Sequence, residues 1–263
     1  MTEIATNGVA GIEHAASDPT STDPTSTDPT STEATPRVPR RRLAIGTDGS
    51  VAGGDTADHL GVALRYACRM ASQMEPLLDI GQLQWLSTLR GTSFTARVGH
   101  VAGDVTVTAD VGEVAESLPV GAKHVSVDAD GAHAAIRKGL QMVHHGLEAD
   151  WCAIITWDQR IVGAILPESG RRGVDVRTVL PEVGLRALAL LGSLDESCHD
   201  TAVVLEYASG SMLVAAVEGD VLFAFADTFD TAIAGGVIDR VRAALAPHDL
   251  DLVWTWGDIW ATP

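Results

Sequence analysis

The segment that decides the predicted fold lies at residues 201–245 and reads TAVVLEYASGSMLVAAVEGDVLFAFADTFDTAIAGGVIDRVRAAL. It contains three runs rich in Val, Leu and Phe, at residues 201–207, 211–217 and 221–226. The short turn sequences Ala208-Ser209-Gly210 and Glu218-Gly219-Asp220 separate these runs. Apolar runs joined by such turns predict an antiparallel meander. A helix is predicted next, at about 230–245, because Ala234, Val237, Val241 and Ala244 share one helical face.

The segment before the meander predicts a helix, a hairpin and a second helix. Ile136, Leu140, Val143 and Leu147 recur every three or four residues, which places them on one helical face. Residues 151–157 and 161–166 then predict a hairpin around the turn Asp158-Gln159-Arg160. The helix predicted at about 177–194 is apolar around most of its circumference, so it must be covered on two sides. The sheet covers one side, and either a matching helix or the tail segments cover the other.

An earlier region repeats much of this order in a degenerate form. Residues 43–53 predict a hairpin, and residues 60–74 predict a helix that Pro76 ends or kinks. Leu83, Leu86 and Leu89 recur every three residues and predict a second helical stretch. Alternating residues predict strands at 94–98 and 105–109, and a short closing helix is predicted at 111–118. This first copy is therefore expected to have no leading helix and one strand fewer than the second.

Together these elements predict an α/β (α+β) fold with a mostly antiparallel five-stranded sheet flanked by helices, in two copies. Four parts are expected along the chain. They are a disordered acidic tail with a basic end at 1–41, a degenerate module at 42–120, a second module at 121–250, and a Trp-rich segment at 251–263. The tail is predicted to be disordered because it holds few large apolar side chains and repeats Asp-Pro-Thr-Ser-Thr three times.

The second copy resembles the roadblock/LC7 family, relatives of the longin and profilin-like folds. The resemblance is carried by the hairpin WCAIITWDQRIVGAIL (151–166), the apolar helix that follows it, and the meander with its EGD turn and the Gly-Gly pair of its last helix. It covers residues 131–245 well and 43–118 poorly. Family members are small dimeric scaffolds or regulators. Many act on small Ras-like GTPases, and others are dynein or Ragulator components.

The resemblance also implies a mode of pairing. Family members dimerise through the central helix and the adjacent strand edge, which correspond to residues 177–194 and 201–207 here. The arrangement expected is either a homodimer or an internal pseudo-dimer of the two copies. The implied interface residues are Leu185, Leu188, Ala189, Val203 and Leu205.

Charge and composition exclude several classes of partner. The formal net charge of −17 argues against nucleic acid and anionic membranes, because both require a basic surface. No apolar run reaches the roughly 18 residues of a membrane span, so none is expected. Cys68, Cys152 and Cys198 are too few and too scattered for a disulfide framework. Without a secretory signal sequence, the expected location is the reducing cytoplasm.

No residue pattern predicts a catalytic, cofactor-binding or metal-binding site. The sequence has no GxxxxGK[ST] phosphate loop, and the Gly-rich residues 46–54 fall in a predicted hairpin. His144 and Glu148 share a helical face but have no third metal ligand nearby. Cys198-His199-Asp200 are adjacent, whereas catalytic triads assemble from distant segments. The Trp residues near the C-terminus suit either a partner contact or packing of the tail.

The expected function is therefore a non-catalytic scaffold or regulator, of a small Ras-like GTPase or of a multiprotein complex. The alternative is a small-molecule sensory module of the GAF or PAS type, because those folds also have antiparallel sheets flanked by helices. A dimer or a stable complex in solution favours the first hypothesis. A ligand-dependent rise in melting temperature favours the second.

Overall fold

One eleven-stranded sheet organises the computed structural model, which describes residues 41–52, 57–112, 128–167, 174–194, 200–253 and 260–261. The strands are β1 (Arg41–Ile45), β2 (Val51–Ala52), β3 (Leu83–Arg90), β4 (Phe94–Val101), β5 (Asp104–Val111), β6 (Trp151–Ile155), β7 (Ile161–Ile165), β8 (Ala202–Tyr207), β9 (Gly210–Val217), β10 (Asp220–Ala226) and β11 (Trp260–Ala261). The helices are α1 (Ala57–Ser72), α2 (Glu75–Leu78), α3 (Ala129–Gly146), α4 (Val176–Leu194) and α5 (Thr231–Leu245), followed by a 3-10 helix at Leu250–Leu252.

The sheet consists of two halves with the same order of elements. In each half a hairpin, a long helix and a three-stranded meander follow one another, as β1-β2-α1-β3-β4-β5 and as β6-β7-α4-β8-β9-β10. Across the sheet the order is β11-β7-β6-β10-β9-β8-β3-β4-β5-β1-β2. The first strand of each hairpin therefore pairs with the last strand of its own meander, and β3 pairs with β8 to join the halves. Among the described residues, neighbouring strands run antiparallel except for β11 beside β7.

Helices cover both faces of the sheet, but not equally. The inner face, defined as the face that α1 and α4 cover, carries one core that runs through both halves from Leu43 and Leu86 to Leu205 and Phe223. The outer face carries a second core, in which α3 and α5 pack on strands of the second half. Ile154 and Leu222 belong to this outer core.

Local sequence explains the helix ends and the turns. Asp230 caps α5, because its carboxylate accepts a hydrogen bond from the backbone N–H of Ala232 at 2.9 Å. Gly103 and Gly219 lie in the turns that precede β5 and β10, and both have a positive φ that suits glycine. Among the described residues, no helix has both the length and the apolar content needed to cross a bilayer.

The structure confirms part of the predicted fold. The α+β class, the antiparallel pairing, both hairpins, the second meander and the helices at 177–194 and 230–245 are confirmed. The prediction of five strands is wrong, because the β3–β8 pair merges two five-stranded halves into one larger sheet. The helix predicted at Leu83–Leu89 is also wrong, since these residues form β3. The first half therefore has as many strands as the second rather than one fewer.

Several predictions fall on parts of the chain outside the described residues. The tail predicted to be disordered at 1–41 lies there except for Arg41, which begins β1. Most of the closing helix predicted at 111–118 lies there as well, as do Trp254 and Trp256. Val111 itself ends β5. The duplication and the four-part division of the chain remain predictions.

Candidate functional site

The two halves meet at a strand pair with a symmetric register. Leu86 of β3 lies opposite Leu205 of β8. These two residues hold equivalent places in their halves. Leu86 pairs with Ala96, which lies five positions before Val101 at the end of β4. Leu205 pairs with Met212, which lies five positions before Val217 at the end of β9. A residue that faces its own counterpart is typical of twofold symmetry, as in an isologous dimer interface. The β3–β8 pair, with the helices beside it, is called the seam below.

Side chains from both halves close the seam on the inner face. The long helices α1 and α4 pack against each other there, and the Ser193 hydroxyl donates to the carbonyl O of Ala63 at 3.4 Å. From β8, the Tyr207 hydroxyl donates to the carbonyl O of Ala71 at 3.0 Å. Burial raises the pKa of the Tyr207 phenol well above its ordinary value, so this hydroxyl stays a donor. The seam is therefore a packed and hydrogen-bonded contact within one chain.

On the outer face, α5 lies against the same seam and forms ion pairs there, one of which joins the two halves. Arg90 of β3 pairs with Asp239 of α5. Arg242 of α5 donates through Nη1 to Asp200 at 2.7 Å and through Nε to the carbonyl O of Ala216 at 2.8 Å. Burial lowers the pKa of the Arg242 guanidinium, and the two neighbouring aspartates oppose that change. The outer helix of the second half thus contacts the first half as well.

The structure divides the five residues expected at an interface into two groups. Val203 and Leu205 are fully buried in β8, whose edge pairs with β3. Leu188 is also buried. Leu185 and Ala189 are half-buried and lie four residues apart on the side of α4 that faces away from the sheet. Three of the five residues therefore lie inside the chain and two lie at its surface.

Exposed or half-buried apolar side chains lie on both of the paired helices. On α1, Val62 is 60 % exposed and Tyr66 is 44 % exposed, and their spacing of four residues puts them on one face. With Leu185 and Ala189 of α4 they form what is called the helix-pair surface below. Exposed aromatic and aliphatic side chains in one patch are typical of a contact surface for another protein.

A second candidate site is an acid-lined cleft of about 670 Å³ at one end of the second half. It lies between the β6–β7 turn, the β9–β10 turn and the 3-10 helix, with the exposed ring of Trp157 at its wall. The polar residues of its lining are Asp158, Arg160, Glu218, Asp220, His248, Asp249 and Asp251. Five carboxylates face one guanidinium, so the cleft repels anions, including phosphate groups, and suits cations.

Arg160 connects the two sides of this cleft. Its guanidinium pairs with Asp158 on the β6–β7 turn, lies 3.3 Å from a carboxylate oxygen of Asp251, and donates to the carbonyl O of Val253 at 2.9 Å. Hydrogen bonds from the Thr156 hydroxyl and from Arg160 hold the pKa of Asp158 below its ordinary value. The guanidinium therefore holds the segment after α5 against the hairpin turn.

Asp220, unlike Asp158, has a pKa above its ordinary value. It begins β10 and accepts a hydrogen bond from the backbone N–H of Trp157 at 3.3 Å. Burial, followed by the neighbouring charge of Asp251, raises its pKa from 3.8 to about 7. Near neutral pH this carboxyl is therefore divided between its neutral and its charged form.

The structure also shows where the other candidate reactive residues lie. Cys68 and Cys152 are buried, and burial raises the pKa of each thiol to about 12, which leaves them unreactive. Asp200 bonds Arg242, while Cys198 and His199 lie outside the described residues. Among the residues that the structure describes, no group of three or more His, Cys, Asp or Glu is arranged to hold a metal ion. The first part of the Gly-rich segment forms the β1–β2 turn, in which Asp48 accepts from Ser50.

Sequence reasoning missed the cleft. Its acidic residues come from three segments that are far apart in sequence, and each Asp taken alone is typical of a turn or a helix cap. A signal was present, because DQR, EGD and DLD all place carboxylates at element ends of the second half. The pairing of these ends requires the sheet topology, which sequence periodicity does not supply.

Comparisons with models of known protein families, with curated proteins and with solved structures found no match. The seam, the helix-pair surface and the cleft are therefore the features from which a function can be inferred.

Proposed function

We propose that this protein is a non-catalytic scaffold or regulator, built as an internal pseudo-dimer of two roadblock-like halves. The observation that carries the proposal is the symmetric seam. The central helix and strand edge through which the resemblance implies dimerisation are paired here with their counterparts in the same chain. Such a chain presents both central helices to a partner as one preformed surface, and it needs no second copy to do so.

The surface offered to the partner is the helix-pair surface. Val62 and Tyr66 are among the large apolar side chains most exposed to solvent, and they lie on α1, which packs against the helix that carries Leu185 and Ala189. Aromatic side chains that become fully desolvated in a complex supply much of its binding energy. The partner proposed is a small Ras-like GTPase, alone or within a multiprotein complex, as the resemblance implies.

The test is an affinity capture from host lysate with GDP or with a non-hydrolysable GTP analogue, read by mass spectrometry. Three baits are compared: the wild-type chain, Tyr66→Asp, and Ile233→Asp as a matched control. Ile233 is 52 % exposed on α5, so its substitution introduces the same charge on a helix outside the helix-pair surface. We expect a Ras-like GTPase to be enriched in one nucleotide state with the wild-type and Ile233→Asp baits. We expect at least a tenfold loss with Tyr66→Asp, because a carboxylate would be desolvated in the contact.

Two outcomes contradict the proposal. If no GTPase is enriched in either nucleotide state, the regulator function fails, and the sensory-module alternative should be tested by ligand-dependent melting. If Tyr66→Asp and Ile233→Asp lose the GTPase equally, the partner contacts another surface. Circular dichroism of each bait distinguishes a lost contact from a lost fold.

A further inference from the structure

The two halves end in turns that match each other closely. In the first half, the backbone N–H of Gly46 donates to the carbonyl O of Ser50 at 3.0 Å, and in the second, Thr156 donates to Arg160 at 2.8 Å. Beside these hairpin turns, Asp104 begins β5 and Asp220 begins β10, each after a glycine with positive φ. The two carboxylates therefore occupy equivalent places in the fold.

The long helices of the two halves differ at the position that pairs with the carboxylate in the first half. In the first half, Nη2 of Arg65 on α1 lies 3.1 Å from Asp104, and the same arginine donates to the carbonyl O of Thr47. The buried positions 61, 64, 67 and 68 of α1 match 184, 187, 190 and 191 of α4 with a constant offset. That offset sets the apolar Leu188 at the place of Arg65. The carboxylate of the first half thus has an arginine partner on its helix, whereas the corresponding position on the helix of the second half holds a leucine.

The two carboxyls also differ in their pKa values. A backbone hydrogen bond from Val105, together with Arg65, holds the pKa of Asp104 below its ordinary value. Burial and Asp251 raise the pKa of Asp220 to about 7. The charged and titratable groups that face Asp220 from the surrounding elements are Asp158, Arg160, Glu218, His248, Asp249 and Asp251. Arg160 is the cation among them, and Asp158 and Asp251 already share it.

The same arginine holds the segment after α5 in place. Through Asp251 and the carbonyl O of Val253, it ties the 3-10 helix and Val253 to the β6–β7 turn, and the 3-10 helix lines the same cleft as Asp220. We propose that residues 249–253 form a pH-responsive latch, closed while Asp220 is neutral and loosened when Asp220 becomes the third carboxylate around one guanidinium. The chain continues from this latch to β11, which pairs with the β7 edge of the sheet.

The sign and size of the effect follow from proton linkage. A carboxyl whose pKa is raised in the closed form stabilises that form while it is protonated, and the stabilisation is lost as the pH rises through the raised pKa. If the open form has the ordinary value of 3.8 and the closed form about 7, the opening equilibrium increases by about tenfold between pH 6 and pH 8. Above about pH 8 the effect levels off, because both forms are then ionised.

The experiment is hydrogen exchange on the full chain at pH 6 and pH 8, reported as protection factors so that the intrinsic pH dependence is removed. For residues 249–253 we expect wild-type protection to fall about tenfold between the two pH values. Asp220→Asn should show equal protection at both. Asp104→Asn changes the equivalent carboxyl of the other half and should keep the wild-type fall. His248→Gln should keep it too, although an imidazole in general titrates in this range.

Equal wild-type protection at pH 6 and pH 8 would overturn the latch. So would a fall that persists in Asp220→Asn, or one that disappears in His248→Gln. If Asp220→Asn does not fold, carboxyl-carbon NMR of the wild-type chain labelled at aspartate replaces it. One aspartate carboxyl titrating near pH 7 supports the proposal, and titration of every aspartate carboxyl below about pH 5 overturns it.

Discussion

The two halves of the sheet share a topology but differ on their outer faces. The hairpin registers Ile45–Val51 and Ile155–Ile161 align the two hairpins residue by residue, and the β4–β5 and β9–β10 turns align the two meanders. On the outer face these alignments equate Arg42 with Cys152, Ala44 with Ile154, Thr108 with Ala224, and Asp110 with Ala226. The members from the second half are buried under α3 and α5, whereas those from the first half are exposed or half-buried. Strand order alone therefore does not decide whether a face of the sheet is covered by helices. The polarity of the side chains on that face decides it.

The inner faces of the two halves, by contrast, are alike. Ile45 and Ile155, and likewise Val107 and Phe223, are equivalent pairs, and all four are buried in the one core that α1 and α4 cover. Both halves thus bury an apolar inner face, and they bury it together. Because the core crosses the seam, we expect the halves to fold as one cooperative unit.

The most sensitive test of the difference between the two outer faces is to place a charge at equivalent positions. Ile154→Asp puts a carboxylate into the outer core, where Ile154 is fully buried, and should reduce the free energy of unfolding by about 4 kcal/mol or more. Ala44→Asp puts the same group on an exposed position and should cost at most about 1 kcal/mol. Urea unfolding followed by circular dichroism measures both. Similar losses in the two variants would show that the outer face of the first half is as desolvated as that of the second.

The seam gives the next largest effect. Leu86 and Leu205 are fully buried, face each other across β3 and β8, and belong to the common core. Each change to Ala should reduce the free energy of unfolding by about 2 to 5 kcal/mol. The double variant should deviate from additivity by about 0.5 kcal/mol or more, because the two side chains are cross-strand neighbours.

Equilibrium unfolding in urea, monitored by both near-ultraviolet and far-ultraviolet circular dichroism, supplies these free energies. One transition that coincides for the two probes is the expected result for the wild-type chain. Two separated transitions, or strict additivity of the two substitutions, would mean that the halves are stabilised independently.

The sequence predicted the second half better than the first, and the seam explains why. Leu83, Leu86 and Leu89 have helical spacing, yet they form β3. Register shifts lie between Leu83 and Trp85 and between Thr88 and Arg90, where β3 pairs with β8. An irregularity of this kind resets the alternation of a strand, so Leu83 and Leu86 reach the inner core despite their odd spacing, while Leu89 packs on the outer core. Periodicity assumes a regular strand and cannot anticipate a register set by a partner that lies more than a hundred residues away.

The interface prediction shows the same limit. The apolar circumference of α4 correctly indicated that a second element covers it, and α1 packs against it. The pattern did not distinguish Leu188, which is buried, from Leu185 and Ala189, which reach the surface. Apolarity indicates that a residue needs cover. It does not say whether that cover comes from the same chain or from another protein.

The smallest effect expected is a pH dependence that one half should show and the other should not. Asp220 has a raised pKa in the folded state, so its contribution to stability is lost as the pH rises from about 3.8 through about 7. Asp220→Asn removes that loss, and its stability relative to the wild type should increase by roughly 1 to 3 kcal/mol between pH 5 and pH 8. Asp104 has a lowered pKa, so its contribution is present above its ordinary value of 3.8 and is lost as the pH falls below it. Asp104→Asn should therefore be less stable than the wild type at both pH 5 and pH 8, with little change between them. Urea unfolding of the three proteins at the two pH values measures both trends. If Asp220→Asn gains no stability relative to the wild type between pH 5 and pH 8, Asp220 does not have the raised pKa that distinguishes it from Asp104.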